Sequence, residues 1–456
     1  MRASAPPGIP PLAGLCTHQE AARVGLSVAE NVRRLLRFHW IEERCRAALV
    51  ERIPSTPEWE VKGALALHQW YAAEHAAAVR RRVAEMRSPP PRMDVAPDEA
   101  LAACLDQARA AEGTRELLTA WYAVLSPALA EAYRAHLDET NPLVDHPTRR
   151  VVRANLVDVE EALAWGAAAL EAFGGPEPAF AGHVEAFLAV AGGVTGDADP
   201  GDRSPAPEPR PVPAPDFRPV RDDRFTGTHN FNFPPHVLHD ADDVDVQERN
   251  LALLCKRLLE MDVPEMMASF VAERSDRPPE FHLDYGRQLW DEARHSMMGE
   301  VALEARGIDW RSIPLNVGFS LRLNLHAEPL ERQLLLWAIE QSLMPSATGK
   351  RSEFETAVAA GDELSAHFHD YDWADEVLHA QIGRRWLLGE RGEGLDFEQA
   401  MAEGRRVHEQ TWSALEGYRN LEPQTEWWSD FVRRALGRET SAHPAQLVED
   451  PEVITE

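Results

Sequence analysis

Two copies of one short pattern carry the residues of this sequence that could do chemistry. The first copy runs from Asp291 to Gly299 and the second from Asp375 to Gly383, and both read D-E-x-x-H-x-x-x-G. In a helix, residues three apart share a face, so the Glu and His of each copy would present an oxygen and a nitrogen side by side. In helix bundles, two such E-x-x-H helices and a Glu from each of two others form a di-metal site.

Two further glutamates could complete such a site. Glu340 lies among apolar residues in LLLWAIEQSLM and would be costly to bury without a partner. Glu248 shares a predicted helix face with Leu251, whereas Glu260 is an alternative ligand on nearly the opposite face. The predicted metal ligands are therefore Glu248, Glu292, His295, Glu340, Glu376 and His379.

In this order of Glu, E-x-x-H, Glu and E-x-x-H, residues 243–390 resemble the ferritin-like di-iron carboxylate superfamily. The string DEARH is similar to the D-E-x-R-H pattern of its O₂-activating members, such as soluble hydrocarbon monooxygenases and acyl-carrier desaturases. The resemblance implies that Asp291 and Asp375 hydrogen-bond the ligand histidines, a position where metal sites need a carboxylate. It also implies two Fe ions, with Mn/Fe as an alternative, and O₂.

Other residues near the pattern have candidate roles. Gly299 and Gly383 fall on the ligand face and would either allow helices to approach closely or leave open space near the metals. Tyr285 lies two turns before the first Glu and is a candidate catalytic residue for redox or proton handling, although ordinary helix packing explains it better. The histidines of 229–239 and 367–369 are expected in loop, surface or capping positions.

Apolar residues recur at three- and four-residue steps over most of the chain, and strand patterns are weak, so the predicted fold class is all-α. Prolines and glycines mark the helix breaks. The architecture expected is two ferritin-like four-helix bundles joined by a Pro-rich linker. The predicted helices are 28–52, 57–87, 98–110, 114–140, 146–173, 243–261, 264–273, 279–306, 329–344, 352–389 and 396–437.

Composition divides the chain into five predicted regions. Residues 1–25 are a flexible N-terminus, 26–192 a helical bundle, 193–242 a Pro-rich linker with an aromatic arm, 243–437 the di-iron bundle and 438–456 an acidic tail. The first bundle contains no E-x-x-H pair and is expected to lack a complete metal site. Packing, dimerisation or substrate capping is its expected role, and a homodimer is the candidate assembly.

The charge, the hydropathy and the cysteines of the chain restrict its expected partners and cellular compartment. A net charge of −28 disfavours a nucleic-acid partner, and no apolar run is long enough to span a membrane. The four cysteines are scattered, and no secretory signal is evident, so a reducing cytoplasm is expected. The string SATGKRS lacks the first Gly of a P-loop and has Arg351 where Ser or Thr is required.

These features predict a non-haem di-iron oxidoreductase that activates O₂ to hydroxylate, desaturate or otherwise oxidise an organic small molecule. No flavin, NAD or Fe–S motif is present, so an external electron donor, a reductase or ferredoxin-like partner, is implied. Two other classes remain open. One is a ferroxidase or iron-handling ferritin-like protein, and the other is a non-catalytic helical scaffold.

Overall fold

The computed structural model describes residues 8–197, 205–344, 349–389 and 392–448. Within these ranges the fold is all-helical, as predicted, and the β structure is limited to an isolated bridge between Leu388 and Leu395. No helix in the described ranges is both long enough and apolar enough to cross a bilayer. Outside the described ranges lie parts of the predicted flexible N-terminus, linker and acidic tail, and the break predicted at Pro345 (1–7, 198–204, 345–348 and 449–456).

The chain forms two compact units. The first comprises Met1–Ala48 and His68–Ala214, and the second comprises Leu49–Leu67 and Pro215–Glu456. Residues 205–214, predicted as linker, thus belong to the first unit. There the backbone N–H of Arg210 donates to the side chain of Gln107, and short backbone contacts of this kind order a Pro-rich segment that has no helix of its own.

The segment Leu49–Leu67 packs into the second unit, although the sequence predicted it within the first bundle. Its Lys62 is buried and forms an ion pair with the buried Glu265. The ring of Trp59 contacts the ring of Phe225. Because a buried charge needs an oppositely charged neighbour, the position of Glu265 explains why this segment belongs to the second unit.

Helices in the first half of the chain largely follow the predicted bounds. Within the predicted helix 114–140, a π-helical stretch, Thr119–Leu125, joins the α-helices Thr114–Leu118 and Ser126–Glu139. Pro127 lies in the first turn of the second α-helix, where its missing N–H is tolerated. The helix Pro178–Val190 was not predicted, nor was the short helix His18–Ala21 within the predicted flexible N-terminus. The helices are α1 (His18–Ala21), α2 (Val28–Arg52), α3 (Trp59–Met86), α4 (Glu99–Arg109), α5 (Thr114–Leu118), α6 (Ser126–Glu139), α7 (His146–Ala172) and α8 (Pro178–Val190).

The second half differs from the prediction in four places. The predicted helix 352–389 is two helices, because the chain reverses at Gly361, whose φ of +70° favours glycine. The helices Pro235–Leu238 and Gly318–His326 were not predicted, and the predicted helix 396–437 is two α-helices, Phe397–Trp412 and Trp428–Leu436. The helices are α9 (Pro235–Leu238), α10 (Val246–Leu259), α11 (Asp262–Glu273), α12 (Pro279–Glu304), α13 (Gly318–His326), α14 (Pro329–Ser342), α15 (Lys350–Ala359), α16 (Glu363–Leu387), α17 (Phe397–Trp412) and α18 (Trp428–Leu436).

Four long helices of the second unit position the residues of interest. Helix α12 packs against α10 and α16, and α14 packs against α16. Two glycines permit these contacts, as the sequence predicted. A Cβ on Gly299 would lie 2.6 Å from the backbone N of Leu258, and a Cβ on Gly383 would lie 2.2 Å from the ring of Trp337. Helices α12 and α16 can therefore lie close to α10 and α14, respectively.

Candidate metal centre

Five of the six predicted ligands come together in the second unit. Helix α12 supplies Glu292 and His295, α14 supplies Glu340, and α16 supplies Glu376 and His379. All five side chains are buried. Since one helical turn separates the Glu and His of each pair, both members point into the same space between the helices.

The sixth predicted ligand, Glu248, lies elsewhere. Its carboxylate accepts hydrogen bonds from the indole N–H of Trp428 at 2.8 Å and from the hydroxyl of Ser441 at 2.7 Å. The alternative from the same segment, Glu260, lies 3.8 Å from Nδ1 of His295. The prediction that Glu248 joins the cluster is therefore wrong, and Glu260 takes its place.

The burial of α10 explains the error. Its residues from Asn250 to Cys255 are buried without a gap, so facing away from Leu251 does not mean facing solvent. The position of each glutamate along the helix axis instead determines which one reaches the cluster. Glu260 lies twelve residues after Glu248, about 18 Å further along at 1.5 Å per residue, and only the later residue reaches the cluster.

The imidazole of His379 faces three carboxylates. Its Nδ1 lies 3.2 Å from Glu292, 3.3 Å from Glu376 and 4.0 Å from Glu340. Glu340 also accepts a hydrogen bond from the amide of Gln288 at 3.1 Å. One nitrogen and three carboxylates within this space could hold a metal ion.

The imidazole of His295 faces a second set, which shares two carboxylates with the first. Its Nδ1 lies 3.7 Å from Glu292 and 4.0 Å from Glu376, as well as near Glu260. Asp372 is closest, at 3.3 Å. Glu292 and Glu376 thus face both imidazoles, which is the arrangement that two adjacent cations with bridging carboxylates require.

Several buried polar atoms at the centre lie near opposite charges but make no hydrogen bond of acceptable geometry. They are Nδ1 of His295 and of His379, Oε1 of Glu292 and Oε2 of Glu376. Orphaned buried polar atoms are uncommon in proteins and call for an explanation. Two metal ions, one at each imidazole, would satisfy all four atoms, and a mixed set of imidazole and carboxylate donors suits Fe or Mn.

Each imidazole is held at its other nitrogen by an aspartate of the opposite helix. Nε2 of His379 on α16 lies 3.4 Å from Asp291 on α12, and Nε2 of His295 on α12 lies 3.2 Å from Asp375 on α16. Arg294 donates to both aspartates at 2.7 Å. The sequence assigned these aspartates to histidine contacts, and the structure adds that each contact crosses between helices.

The charges of the cluster depend on one another. Burial opposes ionisation of Glu292, but contacts with His295 and His379 outweigh it and lower the pKa of Glu292 to about 2. Burial also opposes the charge on His295, yet Asp372 and its other acidic neighbours raise the pKa of that imidazole to about 10. Burial, together with the adjacent Glu376, raises the pKa of Glu340 well above its usual range. A metal ion bound at Nδ1 of either histidine would therefore displace a proton.

Sequence reasoning missed three charged residues of this cluster. One is the buried Arg257, whose Nη1 donates to Glu260 at 2.7 Å and to Asp372 at 2.6 Å. Asp372 lies one helical turn before Glu376, a spacing that could have identified it. Nζ of Lys350 lies 3.0 Å from Asp372 and 2.9 Å from Glu376. Lys350 belongs to the string rejected as a P-loop, and its position at the start of α15 gave no signal of a role in the cluster.

Two other expectations about this region are corrected. His369 was expected at the surface or at a helix cap, but it is buried near Glu353. Tyr285 does not reach the cluster, because the two turns of α12 between it and Glu292 span about 10 Å. Its hydroxyl accepts a hydrogen bond from Gln333 at 2.7 Å and its ring packs against Phe281, so its role is packing.

A cavity of about 680 Å³ opens onto the cluster. This volume falls within the range of about 300–1,000 Å³ common for small-molecule sites. The predicted aromatic arm contributes to its wall, which is otherwise largely apolar. Cluster residues in the wall are Glu260, Glu292, Glu340, Lys350 and Glu376, and apolar residues include Phe231, Phe233, Phe319, Leu336, Ile339 and Trp412.

The first unit contains a buried polar group of another kind. His75 lies 3.1 Å from Glu42 through Nδ1 and 3.1 Å from Asp158 through Nε2. Tyr133 donates to Glu42 at 2.8 Å. Burial opposes the charge on His75, but the two acidic partners outweigh it and raise its pKa to about 9. Among the described residues of this unit, no three metal-binding side chains converge on one point.

Interpretation of the centre rests on the side chains themselves. No family model matches the chain, and comparisons with curated proteins and with solved structures find no match to it.

Proposed function

We propose that the second unit is a di-iron oxidase or oxygenase that uses O₂ to hydroxylate, desaturate or otherwise oxidise an organic small molecule. The observation that supports this most strongly is the pair of imidazoles facing two shared carboxylates. Helices α10, α12, α14 and α16 would form a ferritin-like four-helix bundle around it. Their side chains follow the order Glu, E-x-x-H, Glu, E-x-x-H once Glu260 occupies the first position.

The ligand set divides naturally between two ions, either two Fe or a Mn/Fe pair. His295, Glu260 and Asp372 would hold one ion, His379 and Glu340 would hold the other, and Glu292 and Glu376 could contribute to both. When bound and reduced, such a pair supplies the electrons and Lewis acidity needed for O₂ chemistry. The sequence contains no flavin, NAD or Fe–S motif, so an external donor would re-reduce it.

The chain's own residues position and protect the centre. Asp291 and Asp375 hold the imidazoles with Nδ1 directed at the carboxylates, which sets the tautomer required for ligation. The apolar wall of the cavity excludes water and leaves room for an organic molecule beside the cluster. The two remaining classes fit less well. An iron-handling protein has no need of a large apolar cavity at its centre, and a scaffold has no need of orphaned buried imidazoles.

Oxygen consumption distinguishes the oxidase from a ferroxidase. Full-length protein loaded anaerobically with Fe(II) should retain two ions per chain, and its O₂ uptake should follow the supply of reductant and organic substrate. A ferroxidase would instead consume O₂ in proportion to added Fe(II), over many ions per chain. That second result would contradict the proposal, as would uptake unaffected by His379→Ala.

A further inference from the structure

Arg322 is a buried cation that forms no ion pair with a carboxylate in the described part of the chain. Its side chain is 2% exposed. Asp262 acts on it electrostatically, but that carboxylate already accepts the backbone N–H groups of Phe319 and Ser320. Burying a charge without an oppositely charged partner is costly, and burial lowers the pKa of this guanidinium to about 10.

The groups that touch the guanidinium of Arg322 are neutral. Nη1 donates to the hydroxyl of Thr411 and to the backbone carbonyl of His408 at 3.3 Å. Nη2 lies 3.2 Å from Nδ1 of His408, and burial together with Arg322 lowers the pKa of that imidazole to about 4. The guanidinium also lies 5.2 Å from the ring centre of Trp412. Nε has no hydrogen-bonding partner.

Arg322 lines the same cavity as the carboxylate cluster. Glu260 and Glu340 form part of its wall, and His408 and Trp412 lie in the wall with Arg322. About half of the other side chains in the wall are apolar. The other two cations of the wall, Lys256 and Lys350, form ion pairs with Glu353 and with Asp372 and Glu376. A ligand that matches this cavity has an apolar body and one anionic group.

We propose that Arg322 binds the carboxylate of the substrate, which is therefore an organic acid with an apolar body. A planar carboxylate accepts two parallel N–H bonds from a guanidinium edge, and the edge formed by Nε and Nη2 includes the donor that lacks a partner. Bound there, the apolar body occupies the cavity towards the cluster, where it is oxidised. This identification of the substrate class rests on the proposed function, whereas anion binding by Arg322 does not.

Binding of carboxylates and their neutral primary amides tests the proposal. The probes are decanoate, 3-phenylpropionate and indole-3-propionate with their amides, titrated calorimetrically into the metal-free full-length chain. At least one acid should bind about tenfold or more tightly than its amide, since a buried charge-assisted pair is lost in the amide. In Arg322→Met this preference should fall to about threefold or less. Arg405→Met, which removes an exposed arginine of α17, should retain it.

Several results would overturn the proposal. They are a lack of binding by every acid, equal binding of acid and amide, or an unchanged preference in Arg322→Met. Tight binding of octyl phosphate without carboxylate binding would assign the site to phosphate instead. Should Arg322→Met not fold, Arg322→Lys keeps the charge but loses the planar fork, and it should weaken acid binding several-fold while amide binding stays constant.

Metal content, measured on portions of the same protein preparations loaded anaerobically with Fe(II), separates the two proposals. Two ions per chain without acid preference would overturn the role of Arg322 and leave the di-iron proposal standing. Acid preference without metal binding would overturn the di-iron function and leave Arg322 as an anion site.

Discussion

Asp291 on α12 contacts His379 on α16 across the helix interface, with 3.4 Å between Oδ2 and Nε2. Asp375 on α16 contacts His295 on α12 in return, at 3.2 Å. The two contacts cross, so each helix orients the imidazole of the other. Formation of the cluster is thereby linked to correct packing of α12 against α16, and each imidazole keeps Nδ1 for the carboxylate side.

Replacing either aspartate should weaken metal binding without removing a ligand. In Asp291→Asn the amide cannot hold His379 in the same tautomer with the same strength, and metal affinity should fall about 10–100-fold. Asp375→Asn should do the same through His295. Titration with Fe(II) or Co(II) measures the effect. Asp370→Asn, an exposed change on α16, is the matched control, and equal affinities in all three variants would contradict the assigned role.

Glu260 and Glu248 offer a direct comparison between the observed and the predicted ligand. Glu260→Gln should reduce the metal content from two ions to about one per chain, because one ion loses a terminal carboxylate. Glu248→Gln should retain both ions. It should lower the free energy of unfolding by about 1–3 kcal/mol, since Trp428 and Ser441 lose a charged acceptor. Metal analysis and denaturant unfolding measure the two effects, and the reverse pattern would restore the original assignment.

The two glycines of the repeated pattern should resist substitution. A Cβ on Gly299 would overlap the backbone of α10, and one on Gly383 would overlap Trp337. Gly299→Ala and Gly383→Ala should each lower the free energy of unfolding by about 1–3 kcal/mol. Gly417→Ala is the control, because open space surrounds that position. Urea unfolding that finds all three equal would show that the helices do not approach as described.

The first unit should lose stability in mildly alkaline solution. The pKa of His75 is about 9 in the folded chain, against about 6.5 for an ordinary histidine. A raised pKa means that the ion pairs with Glu42 and Asp158 stabilise the unit fully below about pH 6.5, and that this stabilisation is lost as pH rises through about 9. The unfolding temperature of the wild type should therefore fall over this pH range relative to that of His75→Gln. Parallel pH profiles would contradict the assignment.

Helical spacing was sufficient for most of the candidate site. Glu and His three residues apart share a face in any helix, so the two E-x-x-H pairs could be placed from sequence alone. Glu260 could not be placed in this way, because α10 is buried on nearly every side. Tertiary packing determines which part of α10 lies beside the cluster. Lys350 and Arg322 are single charged residues without a repeating pattern, and only the fold brings them to the cavity.

The helices, too, could be predicted from the sequence only in part. Apolar periodicity located the long helices, including Val28–Arg52 with both ends correct. It continued through Gly361, where a positive φ divides one predicted helix into two. It also missed α13, whose residues from Ser320 to Asn324 are all buried, so that no polar face marks the helical period.

Metal content and spectra of the full-length chain after anaerobic Fe(II) loading, followed by O₂ exposure, test the central claim most directly. The proposal predicts two ions per chain, coupled Mössbauer signals and a transient chromophore with O₂. It also predicts that His295→Ala and His379→Ala each reduce the content to about one ion or fewer. Fewer than one ion per chain in the wild type, unchanged by either substitution, would contradict it.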